Sequence, residues 1–324
     1  MGRSAFGQTQ GFALGPEPIR YPSGVWKVLD ERFRKYMIGN TPLVREYTGL
    51  LWAEGPAWNG VGRYVVFSDI PNNVQMRWDE STGKVTQLRG SVNFSNGNTF
   101  DYQGRQISCE HGNRRVTRTE HDGSITVLAE RFEGKRFNSP NDIVVRSDGS
   151  IWFTDPAYGI ETDYEGEKAE SEIGACYVYR IDPATGAVAA VITDMVRPNG
   201  LAFSLDERQL YVADTGRTHG AENPAHIRVF DVDDAGKVSG GRVFADSTAG
   251  LFDGFRLDSE GRIWSSAGDG IHCLHPDGTL IGKIKVPEAV ANCTFGGAKR
   301  NVLYICATTS LYAVRLMVNG AKTV

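Results

Sequence analysis

The sequence predicts an all-β protein, a six-bladed β-propeller of four-stranded antiparallel blades, and three observations lead there. The first is a short pattern that recurs six times: Glu54-Gly55-Pro56-Ala57-Trp58, Asn96-Gly97-Asn98-Thr99-Phe100, Asn141-Asp142-Ile143-Val144-Val145, Asn199-Gly200-Leu201-Ala202-Phe203, Asp253-Gly254-Phe255-Arg256-Leu257 and Asn292-Cys293-Thr294-Phe295-Gly296. Each copy opens with a carboxylate or carboxamide side chain, passes in most copies through a small or turn-forming residue, and enters an apolar strand-like segment. The period is roughly 40 to 60 residues, close to the spacing of propeller blades. The second observation is a matching column: β-branched and aromatic runs end at Asp69, Glu110, Asp155, Asp214, Ala267 and Ala307, at a nearly constant offset from the opening residue. The third is the set of turn signals between the columns, among them Gln103-Gly104, Asp148-Gly149 and Glu260-Gly261.

Residues 1–40 stand outside the repeat. Their Gly, Pro and polar content through Gly24 predicts an irregular extension, and Val28, Leu29, Phe33, Tyr36 and Met37 fall near one face of a short helix over residues 26–37, lying against the outside of the array. Residues 42–47 read as a lone strand. From Ala53 each unit repeats strand, turn, strand, loop, strand, turn, strand, with third strands at 74–78, 115–119, 176–181, 227–232, 271–274 and 311–316. The last unit stops after its third strand, so residues 42–47 are expected to supply the fourth. That pairing closes the ring of one propeller over residues 41–324. Two loops exceed the plan. Residues 156–175 carry Glu161, Asp163, Glu165, Glu167, Glu170 and Glu172 and read as a solvated acidic loop, while residues 215–225 carry His219 and Glu222.

Composition agrees with a turn-rich β protein: 40% hydrophobic and 23% charged residues with 38 glycines. The repeat spans nearly the whole chain, which favours one closed array over two domains. A net charge of -4 without a long basic run excludes the electrostatic footprint of nucleic-acid binding. Five scattered cysteines without C-x-x-C spacing point to a reducing compartment. The start, Met1-Gly2-Arg3-Ser4, lacks the apolar core of a secretory signal, and no window reaches the length of a membrane span, so a cytoplasmic protein is expected. G-x-S-x-G, P-loop and G-x-G-x-x-G patterns do not occur. Oligomeric state is left open.

In a propeller the first strand of each blade lines the central channel, so the opening column forms a ring of oxygen-bearing side chains at one mouth. Glu54 and Asp253 are its acids; Asn96, Asn141, Asn199 and Asn292 are its amides. Converging carboxylates repel one another, and burying them unpaired is costly. A divalent cation resolves both problems. The all-oxygen set suits a hard cation, calcium ahead of magnesium because calcium accepts irregular geometry. Asn, Asp and Gly at strand starts are also ordinary turn residues, yet turn chemistry does not explain an acid in one copy and an amide in the same column of the next. Among the second-strand ends, Asp155 and Asp214 read as caps on backbone amides, and His111 reads as a hydrogen-bond donor or proton carrier. His272 and His275 lie away from the mouth, and His121 and His226 read as surface residues.

Taken together, Glu54-Gly55-Pro56-Ala57-Trp58, Ser139-Pro140-Asn141-Asp142, Ile151-Trp152-Phe153-Thr154-Asp155-Pro156, Arg197-Pro198-Asn199-Gly200-Leu201-Ala202-Phe203-Ser204 and Asp253-Gly254 resemble the SMP-30/gluconolactonase/LRE family, over residues 51–316. The resemblance implies a six-bladed propeller with one catalytic divalent ion at the channel mouth, held by Glu54, Asn199 and Asp253. Asn141 matches a position that is a ligand in some members and a substrate or water contact in others, and Asp142 accompanies it as a supporting residue. Ser139 stands where regucalcin-like members carry an Arg that contacts the sugar acid, and Glu110-His111-Gly112 looks like bacterial gluconolactonase-type members. The expected function is cation-dependent hydrolysis of a sugar lactone such as an aldonolactone, with Ca2+ first and Zn2+, Mg2+ or Mn2+ as alternatives. Glu54 and Asp253 carry the chemistry, and Asn98, Glu110, His111, Asp142 and Tyr158 contact the substrate. The competing expectations are a phosphotriesterase or other ester hydrolase at the same ion, a metal-independent propeller of the strictosidine synthase kind, and a binding propeller.

Overall fold

A computed structural model of the chain describes residues 21–322; the start of the expected extension, residues 1–20, lies outside them. Blade one is built from Ala53–Asn59, Tyr64–Asp69, Val74–Asp79 and Lys84–Gly90. Blade two follows with Ser95–Phe100, Gln106–Glu110, Arg115–Thr119 and Ile125–Ala129. Blade three has Ile143–Val145, Ile151–Asp155, Tyr177–Ile181 and Val188–Ile192. Blade four has Pro198–Phe203, Gln209–Asp214, His226–Val232 and Val238–Asp246. Blade five has Phe255–Leu257, Ile263–Ala267, Gly270–Leu274 and Leu280–Lys285. Blade six has Val290–Gly296, Val302–Ala307 and Ser310–Arg315. All pair antiparallel in chain order. The inner strands touch in cyclic order, and that of blade six meets that of blade one, so the ring is closed. Among the described residues no helix is long and apolar enough to cross a membrane.

The closing strand is where the sequence put it. Val44–Thr48 pairs with Ser310–Arg315, Val44 opposite Ala313 and Thr48 opposite Ser310, as the fourth strand of blade six. Residues 26–37 differ from expectation. In place of one helix, Trp26–Val28 is a fifth strand on blade five, paired with Leu280–Lys285, and Glu31–Tyr36 is a single 3-10 segment. Asp30 separates them, accepting the Arg32 N–H at 2.9 Å and starting the helical segment only after it. Phe33 and Tyr36 fall three apart, the period of that tighter helix, and both rings pack on Trp264 with centroids 6.0 and 6.4 Å away. The segment therefore seals the outer side of blades five and six with a buried aromatic cluster.

Two local devices aim the inner strands. The first is a break in the ladder at the opening residue. Pairing shifts register between Glu54 and Ala57, between Ser95 and Asn98, between Pro198 and Leu201, and between Val290 and Asn292. In blades three and five the ladder starts only at Ile143 and Phe255, after the polar residue. Such irregularities re-aim side chains next to sites. The second device is a cap. Aspartates at the ends of second strands accept paired backbone N–H groups from the segment entering the inner strand. Asp69 takes Leu51 and Trp52, Asp155 takes Asn138 and Ser139, and Asp214 takes Val196 and Arg197, at 2.8 to 3.1 Å. Asp155 and Asp214 thus do the capping expected of them.

Blades meet at the mouth through backbone. The Gly97 N–H donates to the Asn141 carbonyl at 2.8 Å. A Cβ on Gly97 would lie 2.2 Å from that oxygen, and one on Gly200 2.1 Å from the Asp253 carbonyl. No side chain fits there. Gly97→Ala is expected to destabilise the fold by about 3 kcal/mol through overpacking, measured by urea unfolding. Phe33→Ala, removing a ring that is 0% exposed, should cost about 3 to 5 kcal/mol in the same measurement.

Candidate active site at one mouth of the channel

The broken ladder and the close blade contacts bring the opening residues together at one end of the channel. Glu54 is 3% exposed; Asn141 and Asn199 are buried, and Asp253 is half-buried. The second strand of each blade holds its loop in place: Asn141 N–H donates to the Thr154 carbonyl at 2.8 Å, and Asp253 N–H to the Ser266 hydroxyl at 2.8 Å. Burial raises the Glu54 carboxyl well above the usual carboxylate range, and the negative charge of Asp142 adds to it. Burial likewise raises Asp253, and the charge of Glu54 reinforces the shift. The two acids come from blades one and five, so their mutual repulsion marks convergence across the ring.

The structure sorts the remaining predicted residues. Asp142 faces the channel interior, but its carboxylate is paired with Arg256 at 3.1 Å and accepts the Ile143 N–H at 2.9 Å. Asn98 is enclosed between blades one and two, where its amide meets the Gly55 and Asn96 carbonyls and its oxygen accepts from Gln75, Gln106 and Ser108. Glu110 is bonded to Arg115 at 2.7 Å and Thr117 at 3.0 Å. His111 is fully buried, with Nδ1 2.9 Å from the Glu165 carbonyl and Nε2 3.3 Å from the Asn96 amide nitrogen. Its burial pushes its pKa down to about 4. The polar atoms of Asn98, Glu110 and His111 are thus hydrogen-bonded within the protein. Cross-strand partners invisible in the sequence pattern engage Asn98 and Glu110, and the loop carbonyl of Glu165 engages His111. Tyr158 begins the short helix Tyr158–Glu161, and its hydroxyl lies 2.7 Å from that of Thr215 and 2.9 Å from that of Thr218.

The two long loops meet over this mouth, so the acidic segment is not simply solvated. Glu161 pairs with Arg197 at 2.8 Å and with His219 at 2.9 Å, joining the loop of blade three to that of blade four. Glu165 is half-buried, and its charge is felt by both Glu54 and Asp253. Sequence reasoning flagged the acidic run without singling out Glu165, and it gave no role to Arg256, which lies inside a repeat copy, or to Thr215.

Does this donor set suit a hard cation? Among the described residues, the Asp253 carboxylate and the Asn141 carboxamide receive no side-chain hydrogen bond, and the carboxamide oxygen of Asn199 is likewise unbonded while its nitrogen faces Thr215. Asn96 Oδ1 is buried without a partner. Unbonded oxygens beside two mutually repelling carboxylates, with no thiolate among them, fit a divalent oxygen-seeking ion. Glu54, Asn141, Asn199 and Asp253 are the residues that would hold it. The opposite mouth, beyond the Asp142–Arg256 pair, holds a cavity of about 120 Å³ lined by Trp58, Phe100, Phe203 and Arg256, with none of these carboxylates.

Comparisons with known proteins agree with this architecture. The model of the SMP-30/Gluconolactonase/LRE-like region matches residues 52–309. A gluconolactonase of Zymomonas mobilis is 30% identical, the match covering 87% of this chain and 83% of that one. The solved structure of XC5397, a gluconolactonase from Xanthomonas campestris, superposes with a TM-score of 0.84 at 37% identity, covering 90% of this chain and 94% of that one. The calcium-binding protein regucalcin from Agrobacterium tumefaciens, at 20% identity and a TM-score of 0.71 over 86% of this chain and 94% of that one, shares the fold. This chain belongs to the SMP-30/gluconolactonase/LRE-like family.

Proposed function

We propose that the chain is a cation-dependent lactonase, which opens the ester ring of a sugar lactone with water to give the hydroxy acid. The observation that carries this reading is the meeting of two carboxylates, buried Glu54 and half-buried Asp253, with unbonded carboxamide oxygens at one channel mouth. Its likeness to gluconolactonases supports the substrate class. A divalent cation held by Glu54, Asn141, Asn199 and Asp253, calcium by the hardness of the donors, supplies Lewis-acid stabilisation of the charge that develops on a carbonyl oxygen.

The chain's own groups do the rest. Asp253, half-buried and with no hydrogen bond on its carboxylate among the described residues, accepts the proton of the attacking water as the water oxygen bonds to the carbonyl carbon. The ring C–O bond then breaks, and the proton passes to the departing alkoxide. Glu54 serves as a holding group. Tyr158 and the rim of the two loops border the substrate, and a neutral lactone suits an acidic rim that would repel a free anion.

Chelation should abolish lactone hydrolysis in a pH-drop assay and lower the melting temperature together. A cation at a hundredfold excess over its Kd stabilises the native state by about 2.7 kcal/mol. Turnover that survives complete removal of divalent cations, verified by metal analysis, would refute the reading. Glu54→Gln and Asp253→Asn should each lower kcat/KM by more than about 100-fold on a panel of sugar and aliphatic lactones, with organophosphate esters as the contrasting substrates.

A further inference from the structure

The two oxygens of Glu54 do different work. Oε2 accepts the backbone N–H of Gly55 and, at 3.1 Å, an N–H of the Asn292 carboxamide. Oε1 receives no hydrogen bond among the described residues. The orientation of Asn292 is itself fixed. Its Oδ1 accepts the Cys293 backbone N–H at 2.8 Å, and a backbone N–H can only donate, so the amide nitrogen must be the atom that faces Glu54. Position is fixed as well as orientation. A Cβ on Gly254 of the neighbouring blade would lie 1.9 Å from Asn292 Cγ, so the carboxamide lies directly against that backbone, and the residue is 2% exposed.

By its place in the repeat Asn292 belongs with the oxygen donors, but its oxygen is engaged and what it offers the site is N–H. We propose that Asn292 is a positioning residue for Glu54. Together with the Gly55 N–H it saturates Oε2 and leaves Oε1 as the single oxygen through which Glu54 holds a cation. The inference rests on the cation-dependent reading given above. It also accounts for a carboxylate tolerated in so buried a place, since two N–H groups stabilise its charged form.

Calcium titration by calorimetry on chelator-stripped protein tests it, with Asn292→Asp as the decisive variant. That side chain keeps the shape and adds a negative charge beside the site, so charge alone would tighten calcium binding. Loss of the donor to Oε2 should weaken it instead, with Kd rising about 10- to 100-fold, the size typical of groups that orient metal ligands. Asn292→Ser should weaken it in the same range and serves if the aspartate variant does not fold, as judged by circular dichroism and melting of the metal-free protein. Calcium binding by either folded variant as tight as that of the wild type overturns the positioning role and leaves the lactonase reading standing. A wild-type protein that takes up no divalent cation would instead bring down that reading, and this one with it.

Discussion

The site depends on backbone contact between neighbouring blades at one end of the channel. Where Gly97 donates to the Asn141 carbonyl and Gly254 N–H to the Ala291 carbonyl, both at 2.8 Å, adjacent inner strands lie as close as hydrogen-bonded chains can. That spacing, and not any attraction between the side chains, carries Glu54 and Asp253 into one another's field. The repeat therefore couples two properties in one short motif: an oxygen that points into the channel and a small residue that lets the next blade approach. In blade three the small residue is replaced by Asp142, and its carboxylate reaches into the channel, where Arg256 meets it.

The arrangement sets the charge of the mouth. Four carboxylates lie within mutual influence there, Glu54, Asp142 and Asp253 from the blades and Glu165 from the loop above them. Arg256 neutralises one of them from inside the channel, in a pair whose side chains are 13% and 1% exposed. A buried pair of this kind adds little to stability, because desolvation offsets most of the attraction. Its consequence is electrostatic. It removes Asp142 from the competition and leaves Glu54 and Asp253 as the two acids of the ring, a charge that one divalent ion balances, with Glu165 on the loop above. The same guanidinium lines the cavity at the other end of the channel, where Glu207, Arg300 and Lys322 stand with Trp58 and Phe100 and the ring carboxylates are absent, so the two ends of the channel are chemically distinct.

Most of the fold was legible in the sequence because it rests on local signals that repeat: turn glycines, alternating strands, and the closing strand implied by an incomplete last blade. The extension was misread because Phe33, Tyr36 and Met37 satisfy a helical spacing, whereas the pairing of Lys27 with Lys283 is decided far along the chain, and the local cap at Asp30 delays the helical segment until after it. In the site, the residues of the ring were legible and their orientations were not. Asn292 and Asn199 occupy the same column, yet one turns its oxygen to Cys293 N–H while the other turns its nitrogen to Thr215. Asn98, Glu110 and His111 stand near the mouth in sequence, but neighbouring strands engage Asn98 and Glu110, and the Glu165 carbonyl of the long loop engages His111.

His111 shows how the loops are tied to the ring. The Glu165 carbonyl can only accept, so Nδ1 of His111 carries the proton and, in the neutral imidazole, Nε2 accepts from the Asn96 amide. Burial keeps the ring neutral near pH 7, which holds this tautomer. A Cβ on Gly159 would lie 2.5 Å from His111 Cγ, so the loop is seated directly on the imidazole. At its other side the loop reaches blade four through Tyr158 and Glu161. The residues proposed to hold a cation thus sit on the inner ends of the blades, where backbone contact fixes them, while the wall above them belongs to two loops joined by side-chain contacts. A change of loop sequence can reshape that wall while the backbone contacts that place Glu54, Asn141, Asn199 and Asp253 stay in place, so on the proposed reading discrimination among lactones belongs to the loops and the hydrolytic chemistry to the ring.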